Sequence, residues 1–157
     1  MKRVFINYVK YDNEWISIDY IGSDLKTSVE VFKRNLVDYL ESGPDDQYRF
    51  LLVCVDMTNK DYKTLTDLQM NCSLYLDEDE DHEVFTSLSD KYNFEGRIVC
   101  QDDHSGNLEI IEMYCEDTNL DPDDEDVYEE VSDLLWYEDD DLYKEYLNKY
   151  VNKYYKV

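Results

Sequence analysis

Hydrophobic and polar positions alternate over residues 2–11, with Val4, Ile6 and Tyr8 on one side and Phe5 and Val9 on the other. Period-two alternation in a segment rich in β-branched and aromatic residues predicts a strand. Asp12-Asn13 is a turn signal. Residues 14–21 alternate again, with Trp15, Ser17, Asp19 and Ile21 facing one way and Ile16, Ile18 and Tyr20 the other. The pair predicts a β-hairpin. Gly22-Ser23-Asp24 breaks the pattern, and Thr27 followed by Glu30 fits a capping box. Leu25, Val29, Phe32, Leu36 and Leu40 then recur at helical spacing, so a helix is expected to about Glu41, ended by Ser42-Gly43-Pro44-Asp45-Asp46. Residues 48–57 contain the apolar run Phe50-Leu51-Leu52-Val53-Cys54-Val55, expected of a central strand covered on both faces. Thr58 or Asn59 can cap a second helix carrying Tyr62, Leu65, Leu68, Cys72 and Leu76.

The second half reads differently. Asp77-Glu78-Asp79-Glu80-Asp81 is a block of like charges expected to stay extended and solvated. A short helix is predicted over 84–92. Residues 96–102 and 108–115 read as two strands joined at His104-Ser105-Gly106-Asn107, a hairpin signal. With Ser105-Gly106 as the turn, Cys100 would face Ile111 and Cys115 would face Gly96, so no disulfide between the two cysteines is expected. Asp121-Pro122 reads as a helix start, followed by Asp123, Asp124, Glu125 and Asp126 in a first turn that the helix dipole favours. Val127, Val131, Leu134 and Leu135 supply a buried stripe. Glu138-Asp139-Asp140-Asp141 interrupts it, after which Leu142, Tyr146, Leu147, Tyr150, Val151 and Tyr154 resume a helical pattern. Lys149, Lys153 and Lys156 suit a helix C-terminus.

The expected fold is therefore α+β: one domain over residues 1–157, with a mixed or mainly antiparallel sheet of about five strands in the order ββαβαββα. Helices are expected on one face, with an acidic helical region at the C-terminus. A chain of 157 residues, 43% hydrophobic and 15% aromatic, can bury a core without disulfides or metals and is no acidic disordered tail. Alanine is absent, while Lys, Asn, Tyr and Ile are plentiful, a usage that points to an AT-rich genome, bacterial or viral. No segment approaches the roughly 20 apolar residues of a membrane span. The apolar run after Met1-Lys2-Arg3 is too short for a signal peptide. Cys54, Cys72, Cys100 and Cys115 form no C-x-x-C pair and no zinc spacing, so buried, reduced thiols in a cytoplasm are expected.

Charge changes the picture most. The chain carries 39 acids and 15 Lys+Arg, a net charge of −24. Residues 77–145 hold 27 acids against Lys91, Arg97 and Lys144, and so account for the whole excess. Residues 1–76, with 12 acids and 9 Lys+Arg, form a nearly charge-neutral ββαβα half, and residues 77–157 an acidic half. Such a charge repels itself and costs stability. It also disfavours anionic membranes and direct contact with nucleic acid, whose phosphates require Lys and Arg.

Few residues suit catalysis. His82 lies inside the acid run and His104 in the expected turn. No G-x-S-x-G or phosphate-cradling glycine loop is present, and the chain has four glycines. The calcium-like loops starting at Asp77 and Asp121 fail the glycine and glutamate positions of an EF-hand. Carboxylate pairs arise by chance among so many acids and carry no glycosidase signal. No enzyme activity, cofactor or metal is expected.

What remains is acids interleaved with aromatics: residues 112–117, 126–130 and 135–141. A solvated helix face with core aromatics accounts for any one of these segments, but ordinary surfaces mix both signs. A surface resembling a nucleic-acid backbone accounts for the total. Duplex DNA carries one charge per ~1.7 Å of axis, so 24 charges correspond to roughly 40 Å, or about 12 base pairs. The expected contact residues are Asp123, Asp124, Glu125, Asp126, Glu129, Glu130, Trp136, Tyr137, Glu138, Asp139, Asp140 and Asp141. Asp77, Glu78, Asp79, Glu80 and Asp81 form a second patch.

With its acid runs Asp123-Asp124-Glu125-Asp126 and Glu138-Asp139-Asp140-Asp141 and its 16 tyrosines, the chain resembles phage-encoded acidic DNA-mimic inhibitors of the anti-CRISPR and antirestriction class. The resemblance is one of composition, in a class without a defining motif. It implies a cytoplasmic, non-enzymatic protein whose partner is a basic nucleic-acid-binding protein such as a CRISPR effector or restriction enzyme. An immunity protein for a toxin nuclease would share the same surface physics. An acidic adaptor for a basic protein is the third reading.

Overall fold

The computed structural model describes residues 1–71, 73–103 and 106–156. Among these, the chain forms five strands and six α-helices. They are β1 (Lys2–Tyr11), β2 (Trp15–Gly22), α1 (Leu25–Leu40), β3 (Tyr48–Met57), α2 (Asn59–Gln69), β4 (Leu74–Tyr75), α3 (Glu80–Tyr92), β5 (Ile98–Asp102), α4 (Asn107–Thr118), α5 (Glu125–Asp133) and α6 (Asp140–Tyr154). A 3₁₀ turn, Phe94–Gly96, precedes β5, and a π-helical segment, Leu134–Glu138, joins α5 to α6. The fold is α+β with one open antiparallel sheet in the order β4-β2-β1-β3-β5. Among the described residues no helix is long and apolar enough to cross a membrane. The residues group into two compact units, 1–32 with 47–103 and 33–46 with 106–156.

In the first unit β1 and β3 occupy the spans their alternation predicts. The β2 alternation, in contrast, is broken. Asn7 pairs with Tyr20 but Tyr8 pairs with Ile18, so Asp19 is an extra residue, a β-bulge. The bulge reverses the phase. Ile21 joins Ile16 and Ile18 against the core instead of facing the other way. A second bulge leaves Val99 over between Leu52↔Cys100 and Val53↔Ile98.

One sheet face carries Val4, Ile6, Tyr8, Ile16, Ile18, Leu51, Val53, Val55 and Met57. Leu65 and Leu68 of α2, Phe85 and Leu88 of α3, and Phe94 cover it. Tyr8, Phe85 and Phe94 pack edge-on or tilted, with ring centroids 5.2–6.0 Å apart. Asn7 points the opposite way, and its side-chain amide donates to the Ser28 carbonyl of α1 at 3.0 Å. Helices therefore lie on both faces, not on one, and the apolar run of β3 is buried on both sides for that reason. The aromatic side chains of Tyr11, Trp15, Tyr48 and Phe50 pack together on the α1 side of the sheet.

Several helix starts differ from expectation because Asp competes for the cap. Asp24 accepts from the Thr27 amide at 2.7 Å, so α1 begins before Thr27. Thr58 caps α2 as expected, accepting from the Asp61 amide at 3.1 Å. That helix stops at Gln69. Leu74 and Tyr75 pair instead with Ile16 and Trp15, Leu76 lies outside the helix, and Cys72 lies outside the described residues. Glu80 and Asp81 are not extended. They form the first turn of α3, where acids meet the positive end of the dipole.

In the second unit the expected hairpin is overturned. Residues 108–115 are helical, within α4, so Cys100 and Ile111, and likewise Cys115 and Gly96, are not strand partners. Ile110, Ile111 and Cys115 are buried, a period near four that satisfies a helix better than a strand. The element order accordingly ends α4, α5, α6 in place of a hairpin and one helix. Gly106 sits at the α4 N-terminus with φ +59°, and a Cβ there would lie 2.2 Å from the Tyr150 ring. His104 and Ser105 lie outside the described residues. The α6 stripe is Tyr143, Tyr146, Leu147, Tyr150 and Val151, all buried, while Leu142 is half-buried and Tyr154 exposed.

Two substitutions check these cores by equilibrium denaturation. Phe85→Ala should cost about 3–5 kcal/mol, against less than about 0.5 kcal/mol for the exposed bulge change Val99→Ala. Gly106→Ala should cost at least about 2 kcal/mol, because it combines a left-handed backbone with a ring clash.

Candidate functional site

The expected contact surface begins in a turn. Asp121 accepts from the Asp123 amide at 3.0 Å through its side chain and from the Asp124 amide at 3.2 Å through its carbonyl. Pro122 therefore serves the turn, and α5 starts at Glu125, later than the Asp121-Pro122 signal suggests. Asp124 is the actual cap, accepting from the Asp126 amide at 3.0 Å. Glu125 and Glu129, and Asp126 and Glu130, are four residues apart and all exposed. Such like-charge pairs destabilise a helix by ~0.2–0.5 kcal/mol each. Val131 and Leu135, both buried, anchor the segment against that cost.

After α5 the chain widens into the π-helical segment, and the Asp139 amide donates to the Leu134 carbonyl at 2.9 Å. This geometry turns the two aromatic residues to different environments. Trp136 is half-buried and packs on Tyr143, with centroids 5.1 Å apart. Tyr137 is 81% exposed beside Glu138. Asp139 then caps α6, accepting from the Leu142 amide at 3.1 Å. Asp140 and Asp141 occupy the first turn. The expected interruption at residues 138–141 is thus a π segment followed by a new cap.

All ten acids named for this surface, Asp123 to Asp126, Glu129, Glu130 and Glu138 to Asp141, are exposed. The chain has no Lys or Arg between Arg97 and Lys144. Among the described residues, no acid from Asp121 to Asp141 takes part in an ion pair. Asp124 and Asp139 are held by backbone amides, and the acids beside them ride on the helices those caps start. The face is a set of positioned carboxylates with two exposed aromatic rings, Tyr128 and the more exposed Tyr137.

The second patch belongs to the sheet unit. Asp77 adopts a left-handed conformation with φ +64°, and Asp79 accepts from the Tyr75 amide at 3.1 Å. The Asn71 side-chain amide donates to Asp81. Asp79 and Asp81 are half-buried and serve the loop, while Asp77, Glu78 and Glu80 are exposed.

Sequence reasoning did not choose Glu112 and Glu116, which are exposed one helical turn apart on α4. Their interleaving with aromatics is visible in the sequence, but the expected hairpin puts Glu112 in a strand and Glu116 just past its end, not together on a helix face. On the same helix, Asp117 accepts from the Tyr146 hydroxyl at 2.7 Å and pairs with Lys149 at 3.4 Å. The Tyr146 hydrogen bond, with Lys149 assisting, holds the Asp117 carboxyl below its ordinary range. Burial, reinforced by Asp117, pushes Tyr146 up to about 12. The described cysteines, Cys54, Cys100 and Cys115, are free thiols.

No known protein family, curated protein or solved structure matches this chain.

The Asp117–Tyr146 bond has a pH signature. A carboxyl whose folded pKa is depressed adds stability above its unfolded value, near 4, that is lost as pH falls through the folded value. A phenol raised to about 12 adds stability below its unfolded value, near 10, that is lost as pH rises toward 12. Tyr146→Phe should therefore be destabilised relative to the parent across neutral pH. The difference should shrink below about pH 4 and above about pH 10, as read by urea unfolding at a series of pH values.

Proposed function

We propose that this protein is a non-enzymatic, cytoplasmic inhibitor that occupies the positively charged nucleic-acid site of a bacterial defence nuclease, a CRISPR effector or a restriction enzyme. The observation that carries the reading is that, among the described residues, no acid from Asp121 to Asp141 takes part in an ion pair, on helices whose caps hold them in place. A solubility segment would need neither the caps nor the apolar anchors. A binding surface for fixed cations needs both, because every carboxylate that stays in position lowers the ordering cost of association.

The mechanism is competitive electrostatics. Carboxylates on α5, the π segment and α6 stand in for phosphates along the target's basic groove. Long-range attraction steers encounter and raises the association rate. Tyr137, exposed amid the acids, is suited to an apolar or cationic niche in the groove and slows release. The patch of Asp77, Glu78 and Glu80 adds to the attracting field. An immunity protein for a secreted nuclease would use the same physics, and the identity of the inhibited enzyme separates the two.

The test is DNA binding and cleavage by a panel of purified restriction enzymes and CRISPR effector complexes, with the protein added at increasing salt. Inhibition should be relieved by excess duplex DNA and should weaken at least about tenfold between 50 and 200 mM salt. Neutralising Glu125, Asp126, Glu129, Glu130, Asp140 and Asp141 to Gln or Asn leaves the caps Asp124 and Asp139 intact and should abolish it. Tyr137→Ala should accelerate dissociation, costing about 1–2 kcal/mol. Inhibition that survives both the neutralised variant and high salt sinks the mimicry reading.

A further inference from the structure

The acidic excess has a local exception in the sheet unit. Of the three bases in residues 77–145, Lys91 and Arg97 line one cleft together with Arg3. The cleft holds about 390 Å³, within the range of roughly 300–1,000 Å³ typical of small-molecule sites. Its walls come from β1, from Cys54, Val55 and Asp56 of β3, from the end of α3 and from the residue that enters β5.

Chemistry follows from how the cations are spent. Arg3 pairs with Asp56 through Nε at 3.3 Å, which leaves the rest of its guanidinium fork unbonded among the described residues. Lys91 pairs with Asp61 at 2.7 Å. Arg97 makes no side-chain hydrogen bond or ion pair among the described residues. Its backbone is nevertheless fixed, because the Arg97 carbonyl accepts from the Cys54 amide at 3.0 Å and its amide donates to Phe94.

Tyr92 is fixed too. Its hydroxyl donates to Asp61 and accepts from the Thr58 amide. One wall is thereby an immobilised ring and another an open guanidinium. Two guanidinium groups and an ammonium around one cleft suit a tetrahedral dianion better than a carboxylate, since guanidinium forks bind phosphoryl oxygens two at a time. A chain with net charge −24 repels anions overall, so a site that binds one has to concentrate its bases.

We propose that the cleft between Arg3, Lys91 and Arg97 binds a small phosphate ester, with Arg97 as the principal contact to its phosphoryl group. Cys54, half-buried in the same cleft, reports occupancy. This site is independent of the acidic face and of the inhibitor reading.

The experiment titrates the full-length protein with sodium phosphate and with adenosine monophosphate, using sodium chloride and sodium acetate at equal ionic strength as controls. Backbone NMR resonances of Cys54, Asn93 and Arg97 should shift saturably with the phosphoryl compounds and not with the controls. Alkylation of Cys54 by N-ethylmaleimide, followed by peptide mass mapping, should slow at least fivefold at saturation. Arg97→Gln should weaken binding about tenfold, while Arg34→Gln, an exposed base in the other unit, should leave it unchanged. Tighter binding of the nucleotide than of phosphate would mean the ester's organic part touches the cleft, and equal binding that only the phosphoryl group is read. Either outcome supports the site. No saturable response to either compound up to about 50 mM, or an Arg97→Gln variant that binds as well as the parent, overturns it.

Discussion

Mutual repulsion among acidic side chains is the constraint that the second half of this chain has to satisfy. Residues 77–145 carry 27 acids and three bases, and α5 places like charges four residues apart on its own surface. Each such pair costs ~0.2–0.5 kcal/mol, whereas burying a large apolar or aromatic side chain contributes about 1.5–3 kcal/mol. The five buried residues of α6, with Val131, Leu135, Ile110, Ile111 and Cys115, therefore outweigh the repulsion by a wide margin. Tyrosine is well suited to this role. Tyr143, Tyr146 and Tyr150 bury large rings, and in Tyr146 the hydroxyl still reaches an acid at the surface.

Backbone amides do the remaining work. A helix N-terminus exposes amides that need acceptors and a partial positive charge that favours carboxylates. The acid runs fall at such ends: Asp124 and Asp139 are caps, and Glu125, Asp126, Asp140 and Asp141 fill first turns. The same residues thus solve a local structural problem and create a surface with no ion-paired cation among the described residues. The sheet unit behaves otherwise. There Glu95 receives both guanidinium nitrogens of Arg49, at 3.1 and 2.9 Å, as well as Lys10 at 3.3 Å, and Asp61 holds Lys91 and Tyr92. Exposed pairs of this kind add little to stability, so the contrast between the two units matters most for what each surface can attract.

Much of the fold was legible. Residues 2–11 and 48–57 are strands at their predicted bounds because both β propensity and apolar pattern point the same way. The α1 and α2 helices follow from their spacing. The second half was harder. In residues 108–115, Ile111 and Cys115 fit either period, and a Ser-Gly pair upstream reads as a hairpin turn. Burial in the second unit decides for a helix, with Gly106 in the left-handed conformation at its start. The Asp19 bulge left no mark on the alternation, because a bulge is a property of the pairing between two strands and not of either one.

For the candidate site, the sequence alone determined that the negative charge is concentrated and uninterrupted from residue 98 to 143, since composition needs no coordinates. It also determined that residues 138–141 break a helical stripe. Only the tertiary structure decided which acids act as caps, that Trp136 packs on Tyr143 while Tyr137 faces outward, and that Lys91 and Arg97 meet Arg3 in one cleft. The physical reason is the same in each case. Charge and period are sums along the chain, whereas exposure, pairing and the meeting of distant side chains depend on which faces are buried, and burial is settled by packing between elements.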